Sequence, residues 1–322
     1  ATAGTLTNEG SLRAQSVTAG LDLRNSGTIR AAGIEAGQDL GNLAGGMLRH
    51  GAASAGAVVL TAGPLPDAAA ALAAATAGTP LGVAIAGSGG ATITEGAALA
   101  VTAVRDATNL QAIIAATDLT VTAGGAVSNA GAGAWMLAQS GALVVGAGGD
   151  IGNQGALHAA AGSAAASRVT AGGTLANSGS IVLWSGVGAA VGEVSSAGTL
   201  NNIATGRILA GTVGRAGADL TNSGQIGAGS VRAAALTNAA GASLVATGAV
   251  EAASVVNLAD LHAGSVAASG ALTNRGALVA ADGVTAGSAL ANLGAGATLD
   301  AVRVTATAGT LTNEGSLRAQ SV

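Results

Sequence analysis

The sequence predicts an all-β chain wound as a parallel β-helix, a solenoid with a column of asparagines inside. Three observations carry this reading. Thirteen of the fifteen Asn residues stand two places after Leu, Val or Ile. Where the pattern runs unbroken they recur at intervals of 16–25 residues. The residues around them alternate with period two and show no 3.6-residue helical period.

The thirteen are Asn8, Asn25, Asn42, Asn129, Asn153, Asn177, Asn202, Asn222, Asn238, Asn257, Asn274, Asn292 and Asn313; only Asn109 and Asn201 stand outside the context. Nine of them continue as Asn-x-Gly, and an aliphatic residue often follows two places after that Gly (Leu12, Ile29, Leu157, Ile181). Each unit therefore reads as strand, corner, strand, with Gly at a bend where positive φ is expected. Units this short suit one coil of a β-helix, and the chain length then gives about 16 rungs. In such a stack equivalent side chains form columns about 4.8 Å apart. Inward amides at a corner can hydrogen-bond along the axis, as Asn ladders do in cross-β stacks, and satisfy turn groups that burial would leave unpaired.

Composition supports a thin core. The chain of 322 residues has 54 Gly, no Cys, no Phe and no Tyr, and all twelve of its basic residues are Arg. Without the large aromatics that fill globular interiors, Ala, Val, Leu and Ile must build a narrow one. A mean hydropathy of +0.56 comes largely from Ala, and Gly interrupts every apolar run, so no membrane span is expected. No signal peptide is visible. A net charge of −4 without a basic cluster argues against nucleic acid as a partner. The lack of Cys fits the cytosol or secretion without disulfides and does not choose between them.

The regularity breaks once. Between Asn42 and Asn129 the Asn column is lost, while alternation persists in "ATITEGAALAVTAV" and "TDLTVTAGGAV", so the coil is expected to continue with other corner residues. Residues 63–82 hold all three prolines and an Ala run; Asp67 would cap a short helix over 68–75. This divides the chain into rungs at 1–62, an excursion at 63–82 and rungs at 83–322. The 24- and 25-residue units carry Trp135 and Trp184, read as fillers of a wider rung or as surface contacts for a ligand such as a sugar. No catalytic constellation stands out, and no enzyme activity, cofactor or metal is expected. His50, His158 and His262 are far apart, "GAGGDIGN" is a single copy, and stacking can bring acids together, for instance Asp22 with Asp39 seventeen residues on.

The units "LTNEGSLRA", "LRNSGTIRA" and "LANSGSIVL" resemble the filamentous-haemagglutinin repeats of large bacterial exoproteins secreted by two-partner systems. The resemblance covers most of the chain except about 43–126. It implies a right-handed parallel β-helix, export through an outer-membrane partner, and work at the bacterial surface as an adhesin or toxin stalk. The family's secretion domain carries Asn-Pro motifs; none occurs here, which places this piece in the shaft.

Residues 1–17 recur letter for letter as 306–322, an offset of 305 residues. Internal rungs share only a template, so a much larger unit has been duplicated. Tandem covalent repeats of 305 residues are the favoured reading. Separate subunits stacked end to end, or a deliberately assembled polypeptide, are the others. The expected partners are further copies of the same repeat, the secretion partner, and glycans of host or neighbouring cells. The expected function is the structural shaft of an extracellular filament or adhesin, acting in adhesion, aggregation or biofilm. The alternatives are a β-helix polysaccharide-degrading enzyme and the stalk of a contact-dependent toxin.

Overall fold

The computed structural model describes residues 4–49, 59–62, 85–88, 98–159, 167–183 and 192–322. Within them 34 strands form one parallel, coiled sheet. Three strands make a turn, as in Leu23–Asn25, Thr28–Arg30 and Gly33–Ala36, and each pairs with its equivalent one turn away. The cross-section has three faces, here termed first, second and third in chain order.

Period-two alternation assigns each face its column. The first face points Leu23, Leu40, Val127, Ile151, Leu175 and their equivalents inward. The second contributes Ile29, Leu48, Ile113, Met136 and Leu157, and the third Val17, Ile34, Val101, Val121 and Val145. Nearly all are fully buried, and each burial contributes about 2 kcal/mol. On the third face an Ala follows two residues later (Ala19, Ala36, Ala103, Ala123), and its small side chain lets the walls close at the corner. Three medium-sized aliphatics per turn fill this interior without aromatics.

The stack has about 13 turns, fewer than the sixteen expected, and a length of about 60 Å. The difference lies in the break. Leu40–Asn42 pairs directly with Ala107–Asn109, and Gly33–Ala36 with Leu99–Ala103. Among the described residues the stack therefore stops at Arg49 and resumes at Leu99 without a displaced register. Val59–Ala62 and Ile85–Ser88 pair antiparallel with each other in a separate two-stranded sheet. The Pro/Ala-rich stretch at 63–82 and the helix expected at 68–75 lie outside the described residues.

The corner glycines have two causes, and the expected positive φ at the Asn-x-Gly glycine is met at Gly131 and Gly294. It also occurs at Gly45, Gly214, Gly217 and Gly241. At other Asn-x-Gly corners the constraint is close approach. A Cβ on Gly27 or Gly179 would overlap the carbonyl oxygen of Gly10 or Gly155 in the preceding turn. Stacking forbids the side chain there, with the backbone otherwise unstrained.

Candidate functional site: the asparagine ladder

Every first-face strand ends in an asparagine, and these side chains turn into the corner with the second face. Fourteen of them form a continuous ladder of Nδ2–H···Oδ1 bonds at 2.7–2.9 Å, from Asn8 to Asn313. All thirteen asparagines expected in the column are there, and Asn109 joins them between Asn42 and Asn129. Its context is Ala-Thr-Asn, so a rule demanding Leu, Val or Ile passes over it. The column is thus unbroken where the sequence reading expected other corner residues. Asn201, by contrast, pairs with Ala176 and Thr221 on the outer side of the strand.

The ladder has one direction. Each Nδ2 also meets backbone carbonyls: that of Asn25 donates to Gly27 O at 2.9 Å and to Met47 O at 3.3 Å, and that of Asn177 to Gly179 O and Arg207 O. Carbonyls only accept, so the nitrogen must face them, and the amide oxygen is left for the preceding turn. Every donor consequently points toward the higher-numbered turn. The amides from Asn25 to Asn292 are almost wholly buried, and a buried network is stable only when each member is satisfied. What the arrangement does is fix register. A slip of one residue would place an apolar or outward side chain against the amide pair.

A second, external row of brackets was not anticipated. Asp22, Asp39, Asp106 and Asp150 each directly precede a first-face strand, and Asp219 opens one. Each carboxylate accepts a backbone N–H from the next turn: Asp39, Asp106, Ala126, Thr174 and Ala235 respectively, at 2.6–3.4 Å. The signal was available as Asp-x-x-Asn, in "DLRN", "DLGN", "DATN", "DIGN" and "DLTN". Asp22 and Asp39 do stack, but the Arg105 guanidinium grips Asp39, with Nε 3.1 Å from Oδ1, and Arg24 lies 3.6 Å from Asp22. The hydrogen bond from Arg105 holds the Asp39 carboxyl below the usual carboxylate range. Asp150, in the Gly-Asp stretch of residues 146–153, serves only as such a bracket.

Comparison of the chain with protein-family models, with curated proteins and with solved structures finds no match. Met136 takes the interior position of its strand, while Trp135 lies half-buried on the outer side. Its ring meets the His158 imidazole edge-on, at 5.6 Å between centroids; the expected filler is Met136. Trp184 and His50 lie outside the described residues. His158 is buried on the same outer side with Leu137, Val182 and Leu209. Its Nε2 is 3.0 Å from Ser180 Oγ, and burial, helped by the Arg207 charge, lowers its pKa to about 4. His262, half-buried, is shifted down by desolvation against a partial opposing effect of Asp260. Among the described residues no three His, Cys, Asp or Glu side chains gather as a metal site.

Proposed function

We propose that this chain is a shaft segment of an extracellular bacterial filament or surface adhesin, built from tandem 305-residue β-helical units. The observation that carries the reading is the pair of positions taken by one sequence. In residues 306–322, Asn313 accepts the ladder bond from Asn292. In residues 1–17, the identical Asn8 donates it to Asn25. The same rung therefore takes a neighbour on its higher-numbered side in one copy and on its lower-numbered side in the other, so laying one copy on the other would continue the ladder and the leucine columns of the first and second faces. Solenoids grow in this way because each turn contacts only its neighbours.

Secretion through an outer-membrane partner, a place at the cell surface and a role in adhesion, aggregation or biofilm follow from the likeness of the repeat units to filamentous haemagglutinin. They are parts of the same proposal. The test is the mass of the intact denatured polypeptide from its native source, together with electron micrographs of the assembly. A polypeptide far heavier than 29.5 kDa and rods well beyond about 60 Å are expected. A species near 29.5 kDa in short isolated particles would overturn the reading. The same mass in long rods would replace covalent tandem units by stacked subunits.

A further inference from the structure

We propose that the outer side of the second face, across its first three turns, binds a linear anionic polysaccharide. The strands are Ser11–Arg13, Thr28–Arg30 and Met47–Arg49. Their register puts Arg13 against Arg30 and Arg30 against Arg49. Three arginines thus follow one another along the axis with their Cα atoms about 4.8 Å apart. Like charges directly opposite each other on a sheet are destabilising, and the ion pairs among the described residues engage Arg24, Arg105 and Arg232 instead. The column is a stack of cations with anion-binding capacity left over.

The chemistry of the partner follows from the layout. A regular row of forked guanidinium groups matches a polymer with carboxylates or sulfates at regular steps, since each fork can take two oxygens. The hydroxyl-bearing Ser11 and Thr28 flank the row in the adjacent column, where Met47 continues it. That column runs through Ala112 to Trp135 two turns beyond Met47, so a half-buried indole lies on the same face for a sugar ring to pack against. The chain as a whole, with a net charge of −4, offers no general attraction to polyanions. The patch belongs to the single chain and does not need the tandem arrangement, so either proposal can fail without the other.

The test is binding of the whole chain to polygalacturonate, dextran sulfate, neutral dextran and duplex DNA, by calorimetry at two salt concentrations. Binding to one or both anionic glycans and not to neutral dextran is expected, weakening as salt rises; which of the two binds tells carboxylate from sulfate. Arg30→Ala with Arg49→Ala should reduce affinity at least tenfold and flatten the salt dependence. Arg30→Lys, which keeps the charge and loses the fork, should fall between, and Arg275→Ala should bind as the unaltered chain does. Circular dichroism of each variant reports that the coil is intact. Absence of binding to both anionic glycans, unaltered affinity in the double variant, or tighter binding of duplex DNA than of either glycan would each overturn the proposal.

Discussion

Asn177 donates its side-chain amide to Asn202 at 2.8 Å and accepts that of Asn153 at 2.8 Å, joining residues 24 and 25 positions away on either side. Each intervening segment can vary in length because only the corner must return to the same point. This is how intervals of 16 to 25 residues, and the jump of 67 residues between Asn42 and Asn109, coexist with an unbroken ladder.

Replacing Asn177 by Ala should therefore act well beyond one side chain. It removes the donor to Asn202 Oδ1, to Gly179 O and to Arg207 O in a corner closed to water. With about 1–3 kcal/mol for each buried group left unsatisfied, a loss of about 3 kcal/mol or more is expected. The same change at Asn313, which is exposed here, removes its bond to Gly315 O and one acceptor of Asn292 Nδ2, which keeps Ser316 O, and should cost less, about 1 kcal/mol. Hydrogen exchange of the backbone amides in the turns of Asn153 and Asn202 measures the difference locally, which suits a solenoid whose turns open semi-independently. Equal protection in the two variants would remove the ladder from its structural role.

Much of this architecture was legible because a stack makes one residue type do one job repeatedly. Leu, x and Asn recur since a first-face strand must bury the first, expose the second and join the ladder with the third. Asn109 escaped because Ala107 fills the Leu position, and alanine alone cannot announce an inward site in a chain rich in exposed Ala. The rung count went wrong for a related reason: alternation in residues 91–104 was visible, but nothing in it says that Asn42 bonds directly to Asn109. The outward role of Trp135 was hidden by its neighbour, since "WM" offers two large residues and only the register with Ile113 and Leu157 selects Met136. The arginine column was equally hidden, because Arg13, Arg30 and Arg49 are 17 and 19 residues apart and become neighbours only after coiling.

The two kinds of glycine should respond oppositely to substitution. Gly179→Ala drives a Cβ into Gly155 O and the backbone of Gln154; the obstacle is main chain, which cannot move without breaking adjacent turns, so a loss of about 2–3 kcal/mol is expected. Gly152 sits on the outer side of its strand with nothing near its missing Cβ. Gly152→Thr should stabilise by up to about 1 kcal/mol, because a β-branched residue suits a strand and loses less entropy on folding. Thermal melts of both variants check the opposite signs.

The carboxylate brackets should prove to be acceptors first and charges second. Asp150→Ala removes the partner of Thr174 N, held at 2.7 Å, and should cost about 1 kcal/mol. Asp150→Asn keeps an acceptor oxygen and should cost much less. If both variants lost the same stability in denaturant titrations, the negative charge would be the feature that matters there, and the bracket would have to be reread as electrostatic.

Acid should loosen the turns around His158 before it affects the carboxylates. The imidazole is buried beside Trp135, Ser180 and the cationic Arg207, with no carboxylate acting on it. Its folded pKa of about 4 lies below the ordinary value of 6.5. Above pH 6.5 the ring is neutral in both folded and unfolded chains, and its contribution to stability is complete. As pH falls from 6.5 to about 4 the unfolded chain takes up the proton first, so stability drops, by about 3 kcal/mol in all. Asp39 acts lower down: its depressed pKa adds stability above its ordinary 3.8 that disappears only as pH falls further. Denaturant midpoints measured between pH 7 and pH 4 should therefore slope downward in the unaltered chain. They should slope much less in His158→Gln, with the remainder reporting His262, which is shifted in the same direction. Identical slopes in the two chains would show that the His158 proton is not excluded by the fold.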